Sequence, residues 1–192
     1  MLKTKIIVVA GATILALAVF SYFNSYNTTL KTNQTTSMAT QGLNQTIMQV
    51  SSPVFENDTS IPSEFTCDGL DISPPIDIIG VPKEAKTLSI IMQDPDAPMG
   101  TITHWLVWNI PPTKLQFIKN EKIEFAQGLT SLGKIGYGGP CPPSGIHRYF
   151  FKIYALDSKL DLVNGSSVTD LQKAMLGHVV AEDTLMGKYA KK

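Results

Sequence analysis

From residue 46 onward, short apolar runs alternate with clusters of Pro, Gly, Asn and Asp, a pattern that predicts strands separated by turns. Four runs stand out: TIMQVSSPVF (46–55), TLSIIMQ (87–93), HWLVWNI (104–110) and RYFFKIYAL (148–156). The second and fourth are apolar on both faces, which places them in the middle of a sheet. In the third, strict alternation sets His104, Leu106, Trp108 and Ile110 on one face and Trp105, Val107 and Asn109 on the other. In the fourth, Tyr149, Phe151 and Ile153 oppose Arg148, Phe150 and Lys152. One helix is predicted near the C-terminus. Thr169-Asp170-Leu171-Gln172 reads as a capping box, and Leu171, Met175, Val179 and Val180 follow at helical spacing, with His178 inside the helix. Gly177 weakens its middle by up to ~1 kcal/mol relative to Ala. The expected fold is all-β dominated, a two-sheet antiparallel β-sandwich over residues 46–192 with a C-terminal helix.

The preceding residues follow another rule. After MLKTK, eighteen residues from Ile6 to Phe23 carry no charge. This reads as an N-terminal membrane anchor with Lys3 and Lys5 on the cytoplasmic side, a cleaved secretory signal being the alternative. Residues 24–45, rich in Asn, Thr, Ser and Gln, bury too little apolar surface to fold and read as a flexible tether. Asn-x-Ser/Thr triplets stand at Asn27, Asn33, Asn44, Asn57 and Asn164, in keeping with an extracytoplasmic glycoprotein. The two cysteines, Cys67 and Cys141, leave a disulfide or two buried thiols open, since spacing along the chain does not give their separation in space.

Charge removes one class of partner. The 16 basic and 16 acidic residues cancel over the 192-residue chain. Residues 1–45 hold three lysines and no acid, so the folded part carries 13 basic against 16 acidic residues. Without a basic stripe, nucleic acid is not an expected partner.

The candidate chemistry gathers in two loops. DPDAPMGTITHW (94–105) ends one apolar run in acids and prolines and enters the next at His104. GYGGPCPPSGIHRYF (136–150) does the same with four glycines and three prolines before His147. The chain has three histidines, two of them at these loop ends; both tryptophans follow His104, and the single arginine is Arg148. Each loop taken alone is a turn. Two loops of this kind feeding two strands point to one site, with glycine amides, imidazole N–H groups and a tyrosine hydroxyl as donors for an anion.

These segments resemble the two signatures of the phosphatidylethanolamine-binding protein family, in particular its prokaryotic branch, often called Raf-kinase-inhibitor-like. FTCDGLDISPP (65–75) and GHVVAEDTLMGKY (177–189) are similar to that branch's early and C-terminal segments. The resemblance spans about 46–192. It implies a two-sheet β fold with a small pocket at one end for phosphate-like anions or phospholipid head groups. It also implies a ligand-binding set of Asp94, His104, the loop Gly138, Gly139, Pro140 and Pro142, His147 and Tyr149, with Asp96 beside them. One aspartate is expected to orient an imidazole and the other to pair with Arg148. A buried pair of that kind would make Arg148→Ala unfold the domain or greatly lower its stability.

The resulting expectation is a non-enzymatic anion-binding protein outside the cytoplasm, with no metal and no cofactor. A peptidase inhibitor acting through a protein surface is the alternative. Two enzyme readings are weaker: a metal held by Asp94, Asp96, His104 and His147, and a nucleophile–base pair of Cys141 or Ser144 with His147.

Overall fold

The computed structural model describes residues 47–191; the anchor at 6–23 and the tether at 24–45 lie outside the described residues. The chain forms β1 (Gln49–Ser51), β2 (Thr59–Ser60), β3 (Ile76–Ile79), β4 (Thr87–Asp94), β5 (Ile102–Ile110), β6 (Gln116–Phe117), β7 (Ala126–Gln127), β8 (His147–Leu156), α1 (Val168–Met175) and β9 (Val179–Tyr189). A three-stranded sheet has the order β1-β3-β6, and a six-stranded sheet the order β2-β9-β8-β4-β5-β7. The two doubly apolar runs, β4 and β8, are the middle strands of the larger sheet, as their burial on both faces requires. The sheets are antiparallel except at β2, whose two residues run parallel to β9.

The larger sheet has a core on each side. Val50, Ile76, Ile78 and Phe117 of the small sheet pack with Leu88, Ile90, Met92, Trp105, Val107, Phe151 and Ile153. On the opposite face Ile91, Leu106, Trp108 and Leu156 pack beneath Leu160 and the apolar side of α1, Leu171 and Met175.

Three sequence expectations need correction. The first strand shrinks from 46–55 to Gln49–Ser51. Pro53 has no N–H for a ladder, the Ser52 hydroxyl donates to the Pro75 carbonyl, and the Val50 amide donates to Asp183 Oδ2 at 2.7 Å. The helix is capped one position pair earlier than expected. Ser167 and Asp170 form the capping box, and the helix stops at Met175. Gly177 adopts φ 78°, and β-branched Val179 and Val180 open an eleven-residue strand, so His178 lies in a turn, where its Nδ1 is 2.8 Å from Asp157.

The third correction concerns β5, where strict alternation fails at both ends. Met92 pairs with Trp105 but Gln93 with Thr103, leaving His104 as the extra residue of a bulge. A second irregularity falls between Leu88 and Ile90, opposite Asn109, which takes φ 57° and clamps Leu160 through both its amide atoms. Ile110 therefore joins the core of Trp105 and Val107 rather than that of Leu106 and Trp108.

Candidate functional site

Because β4 lies between β5 and β8 and runs antiparallel to both, the end of β4 and the starts of β5 and β8 meet at one end of the sheet's strands. Asp94, His104, His147 and Tyr149 come from these three strands and line one cavity of about 330 Å³. The bulge carries His104 out of the alternation and places its ring edge-on to Tyr149, with centroids 5.2 Å apart.

Asp94 and the two imidazoles each have a defined partner on the far side from the cavity. Nδ1 of His147 lies 2.7 Å from Oδ2 of Asp94, both side chains being buried. The other Asp94 oxygen accepts the Asp96 amide at 2.8 Å, so the carboxylate is satisfied on both oxygens. Nδ1 of His104 lies 2.7 Å from the Gly138 carbonyl, which can only accept, so this nitrogen carries the proton. Burial pushes the His104 pKa below the ordinary imidazole value, partly offset by the Gly138 carbonyl and by Asp94. The Tyr149 hydroxyl is fully buried and completes no hydrogen bond of good geometry, although Asp94 and the Cys141 amide lie near it. Burial, then the Asp94 charge, raises its pKa, so the phenol stays protonated.

The remaining walls are apolar. Ala97, Pro98, Met99, Ile102, Leu132, Cys141, Pro142 and Pro143 complete the lining of the cavity. Met99 is almost fully exposed at 97%. Met99 and Leu132 escape sequence reading because single apolar residues in turns carry no periodicity, and Ile102 because it stands alone at the first position of β5.

Four expected ligand contacts are not lining residues. Gly138 donates its amide to the His104 carbonyl at 2.9 Å, and Gly139 donates to Oδ1 of Asp71 at 2.6 Å. Neither amide is left for an anion, so these glycines serve the wall rather than the ligand. Gly139 is required for close approach, since a Cβ there would stand 2.6 Å from the Phe65 carbonyl. Pro140 turns its carbonyl to the Cys67 amide at 3.1 Å. Asp96 faces away and forms a two-point pair with Arg148, Nε to Oδ2 at 2.9 Å and an Nη to Oδ1 at 2.7 Å.

That pair overturns the expectation for Arg148→Ala. The two side chains are 49% and 26% exposed, so no buried carboxylate would be orphaned, and the Arg148 amide would still donate to Asp96. The hydrogen bonds from Arg148 hold the Asp96 carboxyl at about 2, below its usual value.

The Gly/Pro loop is stitched to residues 65–71 at four points: the two bonds of Gly139 and Pro140, Tyr137 Oη donating to the Phe65 carbonyl at 2.8 Å, and a disulfide between Cys67 and Cys141. Sequence left that pairing open; the fold brings the two Cα atoms to 5.4 Å. Cys141 is therefore no free nucleophile in this structure. Among the described residues no three His, Cys, Asp or Glu side chains are arranged to hold a metal ion.

The chain is similar to several known proteins. Residues 51–190 match the sequence profile of the phosphatidylethanolamine-binding proteins. A UPF0098 protein of Pyrococcus abyssi is 45% identical over 79% of this chain and 89% of its own length. One from Pyrococcus horikoshii is 49% identical over 73% and 76%, respectively. Among solved structures, a phosphatidylethanolamine-binding protein homologue from Chlamydia trachomatis superposes with a TM-score of 0.75 at 41% identity, covering 77% of this chain and 99% of that one. The E. coli protein YbcL, described as a member of the mammalian family, gives 0.70 at 28% identity, over 76% of this chain and 99% of that one. On the profile match and these identities, the chain belongs to the phosphatidylethanolamine-binding protein family.

Proposed function

We propose that the chain is a non-enzymatic binding protein that holds a small phosphate-type anion, free or as part of a head group, in the cavity between β4, β5 and β8. The observation that carries this reading is the Tyr149 hydroxyl, a donor buried at the cavity with no well-formed bond inside the protein. A buried donor without a well-formed hydrogen bond is costly, and a ligand oxygen would satisfy it. Two imidazoles line the same space with their Nδ1 atoms already engaged, which leaves both Nε2 atoms for a ligand. The apolar walls suit the carbon portion of an ester. Binding is favoured over hydrolysis because Cys141, one of the two candidate nucleophiles, is bonded to Cys67. The disulfide and the N-terminal apolar run support a location outside the cytoplasm. The domain would be held at the membrane by residues 6–23 or released after their cleavage.

An NMR titration of the full chain with inorganic phosphate and O-phosphoethanolamine, following the imidazole signals, tests the reading. Saturable shifts at both His104 and His147, absent with chloride, are expected. Unchanged signals at both rings would refute it.

A further inference from the structure

Resting on that anion-pocket reading, we propose that the cavity selects oxyanions that bring their own acidic proton, phosphomonoester monoanions and dihydrogen phosphate, over phosphodiesters and sulfate. The donors and acceptors that the two rings present decide the selection. His104 Nδ1 faces a carbonyl, which accepts and cannot donate, so the proton of a neutral ring sits on Nδ1 and Nε2 presents only a lone pair.

Whether Nε2 gains a second proton depends on what faces the ring. Asp94 at the end of β4 and Asp71 of the loop stitched to Gly139 favour the cation, as do the Gly138 and Gly139 backbones. From β8, Tyr149 stands edge-on to the ring, and His147 lines the same cavity. Burial opposes the cation and outweighs the rest, the ring being 4% exposed. Near neutral pH the cavity therefore contains one obligate acceptor, His104 Nε2, and one obligate donor, Tyr149 Oη. His147 Nδ1 also faces an acceptor, Oδ2 of Asp94 at 2.7 Å, so its Nε2 accepts in the neutral ring and donates in the imidazolium, and it can serve either side of the count.

The complement of this set is an anion with at least two acceptor oxygens and one O–H. A phosphomonoester monoanion has them. A phosphodiester carries the same charge without the O–H, and sulfate lacks it as well. Either would set an anionic oxygen against the buried lone pair of His104 or force a proton onto a ring whose burial opposes it. A site built to hydrogen-bond one ligand group discriminates strongly against an analogue lacking it. The diester phosphate of a phospholipid head group is, by this count, the poorer ligand.

Methyl phosphate and dimethyl phosphate, which differ by one methyl group, and sulfate are the probes, titrated calorimetrically into the full chain at pH 6 and pH 8. At pH 6 methyl phosphate is expected to bind about tenfold or more tightly than either of the others, in line with an unmade buried hydrogen bond. Its affinity is expected to fall towards pH 8 as the ligand loses its second proton near pH ~6. In the complex, the 15N signal of His104 Nε2 should remain that of a neutral, hydrogen-bonded imidazole. Equal or tighter binding of dimethyl phosphate or sulfate would overturn the selection while leaving the pocket reading intact. Absence of binding by all three, with no shift at His104 or His147, would overturn both.

Discussion

Removing the Cys67–Cys141 disulfide by Cys67→Ser/Cys141→Ser should destabilise the domain strongly while leaving the cavity able to bind. The bond closes a stretch of 74 residues. On the chain-entropy account, a loop of that size restricts the unfolded chain by about 4 kcal/mol at 25 °C. For a domain of this size each kcal/mol moves the melting temperature by roughly 2–4 °C, so the double variant is expected to melt about 10–15 °C lower. The native wall should persist, because the Gly139–Asp71, Pro140–Cys67 and Tyr137–Phe65 hydrogen bonds between the same two segments remain. The assay is a calorimetric melt of both proteins in oxidising buffer, paired with phosphate titration at a temperature where each is folded. A melting shift under about 3 °C would refute the entropic reasoning. Loss of binding in a fully folded double variant would show instead that the bond shapes the native wall. Two titratable thiols in the denatured, unreduced wild type would remove the premise.

Three other substitutions test separate parts of the structure. Asp96→Asn should cost about 1 kcal/mol at pH 7, the range for a partly exposed ion pair. Asp96 titrates at about 2 when folded against 3.8 ordinarily, so its contribution is present above pH 3.8 and lost as pH falls through about 2. The difference between variant and wild type in urea unfolding should accordingly shrink at pH 2.5. For His104 the sign is the same but the cause differs, burial disfavouring the charged ring rather than a partner favouring the charged form. Its folded pKa lies below 6.5, so the unfolded chain takes up the proton first and stability declines as pH falls below 6.5. His104→Gln should flatten that part of the stability–pH curve, and an unchanged slope between pH 7.5 and 5 would contradict the burial argument. Gly139→Ala places a methyl 2.6 Å from both the Phe65 carbonyl and Asp71 Oδ1 and should cost roughly 1–3 kcal/mol, measured by thermal melting.

Much of the sheet was legible from local pattern. The runs at 87–93 and 148–156 are apolar on both faces, and a strand of that kind can be satisfied only between neighbours, which is where β4 and β8 lie. The strand Val179–Tyr189 was hidden for the converse reason. Its first half is largely exposed and lacks apolar–polar alternation, and Val179 and Val180 extend the spacing of Leu171 and Met175 as a continued helix would. Only the left-handed turn at Gly177 separates the two readings.

The sequence by itself determined the residue types of the site and their grouping, because two of the three histidines, both tryptophans and the single arginine fall at the ends of two similar loops. It also supported one aspartate for a histidine and the other for Arg148, without saying which. Tertiary structure decided that Asp94 takes His147 and Asp96 takes Arg148, and that the glycine amides are consumed by His104 and Asp71. It also decided that Cys67 meets Cys141, and that a bulge turns His104 toward Tyr149. The physical reason is common to all four. Each depends on register between segments distant in sequence, and a shift of one residue in a strand sends a side chain to the opposite face, which the local pattern of apolar and polar residues does not record.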